Sequence, residues 1–170
     1  MKKIVSTYWF LVLIAAVIVV SDQVTKSFVR DNLAIGHTWM PWEWLEPYVR
    51  FIHWQNTGVA FGMFQGMGIV FAILAAIVSV GLVFYYPRLH QGSWLVKLAM
   101  GLMLGGALGN LIDRIIQGYV TDFISVGTFA VFNIADSGIT VGTCVLVLGV
   151  WLLERKQKRE QLAEIDSRVS

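Results

Sequence analysis

Apolar residues gather into four long runs, and polar, aromatic and glycine-rich stretches separate them. The runs fall at about residues 8–28, 68–86, 95–116 and 137–153. Each comes near the roughly 20 mostly apolar residues a helix needs to cross a bilayer. This predicts an integral membrane protein, mainly α, with four transmembrane helices in a single membrane-embedded domain spanning 1–170. The first run follows Met1-Lys2-Lys3, as in a secretory signal peptide. However, "VIVVSDQVTK" offers no small-x-small cleavage site, so the run is expected to stay as a helix.

Two connecting segments, 29–67 and 117–136, lie on the same side of the predicted bundle. The first carries "WMPWEWLEPY", whose tryptophans suit a membrane interface. It continues into "VRFIHWQNTGVAFG", β-leaning and then broken by glycine. The second reads "QGYVTDFISVGTFAVFN". Together they predict a small β-sheet or extended region on the outer face. Gly101, Gly105 and Gly109 recur every four residues, and Gly138 and Gly142 repeat the spacing. Small residues at this interval let membrane helices pack closely, which is the role expected here.

Composition agrees with the pattern. The chain is 56% hydrophobic and 14% charged, against about 25% charged in soluble domains. A net charge of +2 gives no reason to expect a nucleic-acid partner. Lys2, Lys3, Arg88, Lys97, Arg155, Lys156, Lys158, Arg159 and Arg168 fall on the side of both termini. Only Lys26, Arg30, Arg50 and Arg114 fall on the other, so the termini are expected in the cytoplasm. The outer side collects Asp22, Asp31, Glu43, Glu46, Asp113, Asp122 and Asp136. The lone Cys144 is expected to be a small buried hydrophobe, and it precludes an internal disulfide.

Among these acids, Asp136 stands directly before an apolar run. Two readings apply: a helix N-cap favoured by the helix dipole, or a functional carboxylate at membrane depth. Asp122 likewise has two readings. In an extended strand it shares a face with Val120, Ile124 and Val126, while in an irregular loop it stands in water. If the two carboxylates converge in a dry site, one proton is shared between them. The ionised member can then activate water for peptide hydrolysis. Asp22 and Lys26 are one helical turn apart, either as an interfacial ion pair or as part of substrate binding. Asn110 and Arg114 share a helix face. His37, His53 and His90 are scattered without ligand spacing, so no metal and no cofactor is expected. A small ion transporter and a structural subunit are the alternatives from other classes. The first would place charge at mid-span; the second would tolerate Asp122→Asn and Asp136→Asn.

The stretches "SDQVTK" (21–26), "QNTGVAFG" (55–62), "GGALGNLIDRI" (105–115), "VTDFI" (120–124) and "FNIADSGIT" (132–140) together resemble lipoprotein signal peptidase, the bacterial signal peptidase II family. The resemblance implies an aspartic endopeptidase of the inner membrane. It would cut prolipoproteins on the N-terminal side of a diacylglyceryl-modified cysteine at the outer membrane surface. It further implies Asp122 and Asp136 as the catalytic pair, with Asp22, Lys26, Asn56, Gly58, Asn110, Arg114 and Asn133 shaping the site and holding substrate, and Asp113 as structural support. Membrane lipid and the inhibitor globomycin are implied as partners, and nothing in the sequence requires more than a monomer.

Overall fold

In a computed structural model of the chain, residues 2–58, 63–89 and 93–169 are described. Residues 59–62 of the "QNTGVAFG" stretch, and His90 in the loop before the third run, lie outside them. Four helices among the described residues are long and apolar enough to cross a membrane. They are α1 (Lys2–Asn32), α2 (Gly68–Tyr85), α3 (Trp94–Ile116) and α4 (Ile134–Val169). Three strands form an antiparallel sheet in the order β1 (Thr38–Trp39), β2 (Val49–Asn56), β3 (Val120–Val126).

The third helix is the axis of the bundle. It packs against α1, α2 and α4, and 56% of its span is buried, compared with 6% of α2's. Glycine makes that possible. A Cβ on Gly105 would lie 2.7 Å from the Ile18 Cβ and 2.8 Å from the Ala15 carbonyl oxygen of α1. On the other side, a Cβ on Gly142 of α4 would lie 3.0 Å from the Ala99 carbonyl oxygen of α3. The expected close packing at these glycines is thus present. The Ser93 hydroxyl starts α3 by accepting from the Leu95 amide at 3.2 Å.

The sheet is held at the end of the bundle opposite the chain termini. Strands β2 and β3 pair from Val49↔Val126 to Phe51↔Ile124, then resume at Trp54↔Asp122. Ile52 and His53 therefore face one residue, Phe123, which makes a bulge with one extra residue in β2. The bulge is tied to the residue that follows α1: His53 Nδ1 lies 2.7 Å from the Leu33 carbonyl, so that nitrogen carries the hydrogen and donates. After β3 the chain turns at Gly127 (φ +52°) and folds back, so that Phe132 pairs with Ile124. This return delivers residues 133–136 to the edge of β3 beside Asp122.

Two expectations need correction, the bounds of α4 and the burial of Cys144. The fourth helix begins at Ile134 rather than near 137, because Asn133 caps it. It also continues as an exposed helix through the charged tail to Val169, where helix-forming Glu, Lys, Arg and Gln support it and Lys156 pairs with Glu160 at 3.8 Å. Strand β3 is covered on both faces near Asp122, since Val120, Thr121, Asp122 and Phe123 are all buried. Cys144 is exposed: α4 packs through Gly138, Gly142 and Gly149, and Cys144 lies on the opposite side. The expected interfacial tryptophans Trp42 and Trp44 are exposed, at 57% and 72%.

Candidate active site

Asp122 and Asp136 line one small cavity of about 140 Å³, shared with Asn56, Gly58, Asn110, Arg114, Val120 and Val131. Asp122 reaches it from β3, where only 1% of its surface is exposed. Asp136 reaches it from the first turn of α4 and is more open. It is not the N-cap. Asn133 Oδ1 accepts from the Asp136 amide at 2.9 Å, and Asp136 Oδ2 accepts from the Asn133 amide at 3.2 Å. That is a reciprocal capping box, with Asn133 as cap and Asp136 at the third helical position. The capping reading and the functional reading of Asp136 are therefore compatible, since Oδ1 remains turned to the site.

Three asparagine amides bind the pair. Asn56 Nδ2 donates to Asp122 Oδ2 at 2.9 Å, and Asn133 Nδ2 donates to Asp122 Oδ1 at 2.7 Å. Asn110 Nδ2 donates to Asp136 Oδ1 at 2.7 Å. Each amide has only one productive orientation, because its oxygen faces a group that can only donate. These donors are the Gly58 amide for Asn56 (3.0 Å), the Asp136 amide for Asn133, and the Lys26 ammonium for Asn110 (3.0 Å). Asn133 Nδ2 also lies 3.2 Å from Asn110 Oδ1, so the two carboxylates are joined through Asn133 and Asn110.

Behind Asn110 sits a buried ion cluster. Lys26 is fully buried, 2.8 Å from Asp22 and 3.2 Å from Asp113. Arg30 lies 3.6 Å from Asp113 and donates to the Thr121 hydroxyl at 3.1 Å. Asp113 Oδ2 accepts from the Thr121 amide at 2.9 Å, and Asp22 Oδ1 accepts from the Ala135 amide at 2.9 Å. Asp22 fits because Gly109 opposite it has no side chain: a Cβ there would stand 2.7 Å from Asp22 Oδ2. Two cations and two carboxylates balance one another within this cluster. Asp22 and Lys26 accordingly neither snorkel to the interface nor line the cavity; they hold Asn110 and the start of α4 in place. Gln23, whose side-chain amide donates to Asp22 at 3.1 Å and to Asp113 at 3.2 Å, belongs to this support with Arg30 and Thr121, and none of the three stood out in the sequence. Gln23 and Thr121 lay inside the quoted motifs, and Arg30 is one turn after Lys26, so helical spacing was the available signal.

Arg114 donates to the carbonyl oxygens of Gly58 (3.3 Å) and Asn110 (3.4 Å), and its guanidinium lies 5.8 Å from the Phe71 ring centre of α2. It fastens the 57–58 turn over the cavity, and from the cavity wall its positive charge acts on Asp136 and Asp122 without forming an ion pair with either. Gly58 has no room for a side chain, since a Cβ would lie 2.8 Å from the Phe64 carbonyl oxygen. Burial, with the negative charge of Asp136 nearby, raises the Asp122 carboxyl to about 7; the Asn56 and Asn133 bonds and the Lys26 charge pull the other way.

Fold and cavity define a polytopic helical membrane protein with two carboxylates in one small polar site. The sequence model described as signal peptidase (SPase) II matches residues 14–152. The chain is 37% identical over 153 residues to the lipoprotein signal peptidase of Bacillus subtilis (strain 168), covering 88% of this chain and 97% of that protein. It is 33% identical over 154 residues to the lipoprotein signal peptidase of Staphylococcus aureus (strain Newman), covering 88% and 92%. A solved bacterial membrane enzyme, determined by the in meso method at 2.3 Å resolution, is 30% identical with a TM-score of 0.74, over 87% of this chain and 90% of that one. A second such structure, at 1.9 Å, is 32% identical with a TM-score of 0.73, over 82% and 91%. The chain belongs to the signal peptidase II family and is a multi-pass bacterial membrane peptidase.

Proposed function

We propose that the protein removes signal peptides from prolipoproteins, cutting on the N-terminal side of the diacylglyceryl-modified cysteine, with Asp122 and Asp136 as the catalytic pair. The observation that carries this reading is the shared cavity, in which two carboxylates meet amide donors from three asparagines. Asp136, the more open of the two, is the ionised member and takes a proton from water. The resulting hydroxide attacks the scissile carbonyl carbon. Asp122, whose carboxyl holds its proton to about pH 7, donates to the carbonyl oxygen as it becomes an alkoxide. Breakdown of the tetrahedral intermediate breaks the C–N bond: the amine leaves with the proton from Asp136, and Asp122 takes back the hydroxyl proton as the carbonyl re-forms. Asn56 and Asn133 hold Asp122; Asn110 holds Asp136; Arg114 and Gly58 shape the wall on which the peptide lies.

The basic residues crowd the end of the bundle that carries the termini, which supports cytoplasmic termini and an active site at the outer surface of the inner membrane. A single chain completes the cavity, which supports a working monomer in contact with membrane lipid. Globomycin is expected to compete for the same cavity. The test is to incubate the purified protein with a diacylated prolipoprotein, with and without globomycin. Asp122→Asn and Asp136→Asn are expected to abolish cleavage while the variants remain folded in detergent, and globomycin is expected to block the parent. Cleavage retained by either variant removes that aspartate from the mechanism.

A further inference from the structure

We propose that the cleft between α1 and α2, at the end of the bundle carrying the chain termini, holds a membrane phospholipid. Its acyl chain would lie against α3 and its phosphate would sit at Arg88. The cleft measures about 890 Å³ and shares no lining residue with the aspartate cavity, although Leu108 on its floor lies two residues before Asn110 on α3. It exists because α2 leans on α3 and makes little contact with α1, which leaves the floor of α3 open between them. Leu104 and Leu108 form that floor and Val80 and Val83 one wall, while Tyr8 bridges the walls by donating to the Val83 carbonyl at 3.4 Å. The lining is mostly apolar, the Ser79 and Tyr8 hydroxyls each being spent on a backbone carbonyl, until the cleft reaches its mouth, where Arg88 stands exposed.

Arg88 is held for this task. Its guanidinium lies 4.2 Å from the Phe84 ring centre and donates to the Phe84 carbonyl at 2.9 Å. That fixes the side chain beside the cleft and leaves further N–H groups unspent. Among the described residues no carboxylate forms an ion pair with it. An apolar slot between membrane helices with an arginine at its mouth matches a phospholipid's chain and phosphate. Size and charge argue against a helix as the occupant. A membrane-crossing helix about 10 Å across and about 30 Å long fills about 2,400 Å³, well beyond this cleft, and a signal peptide's positively charged leading end would meet Arg88 with like charge.

The test is native mass spectrometry of the full chain in detergent. It is titrated with phosphatidylglycerol, with diacylglycerol of the same chain length, and with soluble glycerol phosphate. One phosphatidylglycerol per chain is expected, with the other two held about tenfold or more weakly, because each lacks either the charge-assisted bonds or the apolar contact. Arg88→Gln, at an exposed side chain, and Val80→Trp, which fills the slot, are each expected to reduce phosphatidylglycerol retention by a similar factor while prolipoprotein cleavage is unchanged. Equal retention by Arg88→Gln, or equal binding of diacylglycerol and phosphatidylglycerol, overturns the proposal. So does loss of cleavage with lipid retained in Val80→Trp, which assigns the cleft to the signal helix. A two-chain species that Val80→Trp abolishes assigns it to a second copy, with the same consequence. The lipid readout needs no peptidase activity, so its failure and the failure of the catalytic reading are distinguishable.

Discussion

Asn56, Asn110 and Asn133 each turn the hydrogen-bearing end of an amide toward a carboxylate, and in each case a donor on the far side forbids the flipped orientation. Donors facing a carboxylate favour its ionised form, whereas burial and a like-charged neighbour favour the protonated form. At Asp122 the second pair of effects wins, which moves the carboxyl from 3.8 to about 7. Between those values the folded chain binds more protons than the unfolded chain. The ionisation of Asp122 therefore costs stability progressively as pH rises from 3.8 to about 7, and the cost is complete above that. In the proposed mechanism the sign is the same: above about 7 Asp122 gives up the proton it is required to donate. The kcat/KM for prolipoprotein cleavage is expected to fall as pH rises through that value. A profile flat between about pH 5 and 9 takes the proton-holding role away from Asp122. The two acids beside oil were legible in the sequence as a candidate pair. Which acid keeps the proton was not, because that depends on how deeply each is buried.

At the scale of elements, the glycine spacing of α3 was readable and its consequence is specific. Ile18 and the Ala15 backbone already occupy the space that a side chain on Gly105 would need. Gly105→Leu is expected to push α1 from α3 and to lower stability by about 1–3 kcal/mol, measured as an earlier thermal melt in detergent; an unchanged melt counts against close packing there. The sheet was legible more coarsely. Alternation placed Asp122 on a strand, yet the strand is covered on both faces, and a bulge in β2 sets which residue pairs with it. Bulges leave little trace in hydrophobic alternation, since one inserted residue shifts the register without changing composition. The start of α4 was misjudged for a related reason: an Asp in the first turn resembles a cap, and only the two-way exchange with Asn133 shows which residue is the cap.

Over the whole molecule, Lys26 has the widest reach. From α1 it touches Asp22 on its own helix, Asp113 and Asn110 on α3, and through them the amides of Thr121 on β3 and Ala135 on α4. Four elements meet at a side chain with no exposed surface. Lys26→Met keeps the length and removes the charge, leaving two buried carboxylates with only Arg30 between them. A loss of about 3–5 kcal/mol is expected, as for breaking a buried pair by deleting one partner, together with loss of cleavage because Asn110 is no longer held. Thermal unfolding of the purified variant checks the first, and a melt equal to the parent's shows that the cluster is not what joins the bundle to the sheet.

The order of apolar and polar residues was enough to determine four spans, a small sheet and the acids at one end of the bundle, because burying apolar surface and satisfying backbone hydrogen bonds in lipid leave few other solutions. The motifs were enough to indicate the family. Neither could say that Asp22, Lys26 and Asp113 form a balanced cluster behind the cavity while Asp122 and Asp136 line it. Those five residues come from α1, α3, β3 and α4, and electrostatic roles depend on distance and burial, which exist only once the chain has closed on itself.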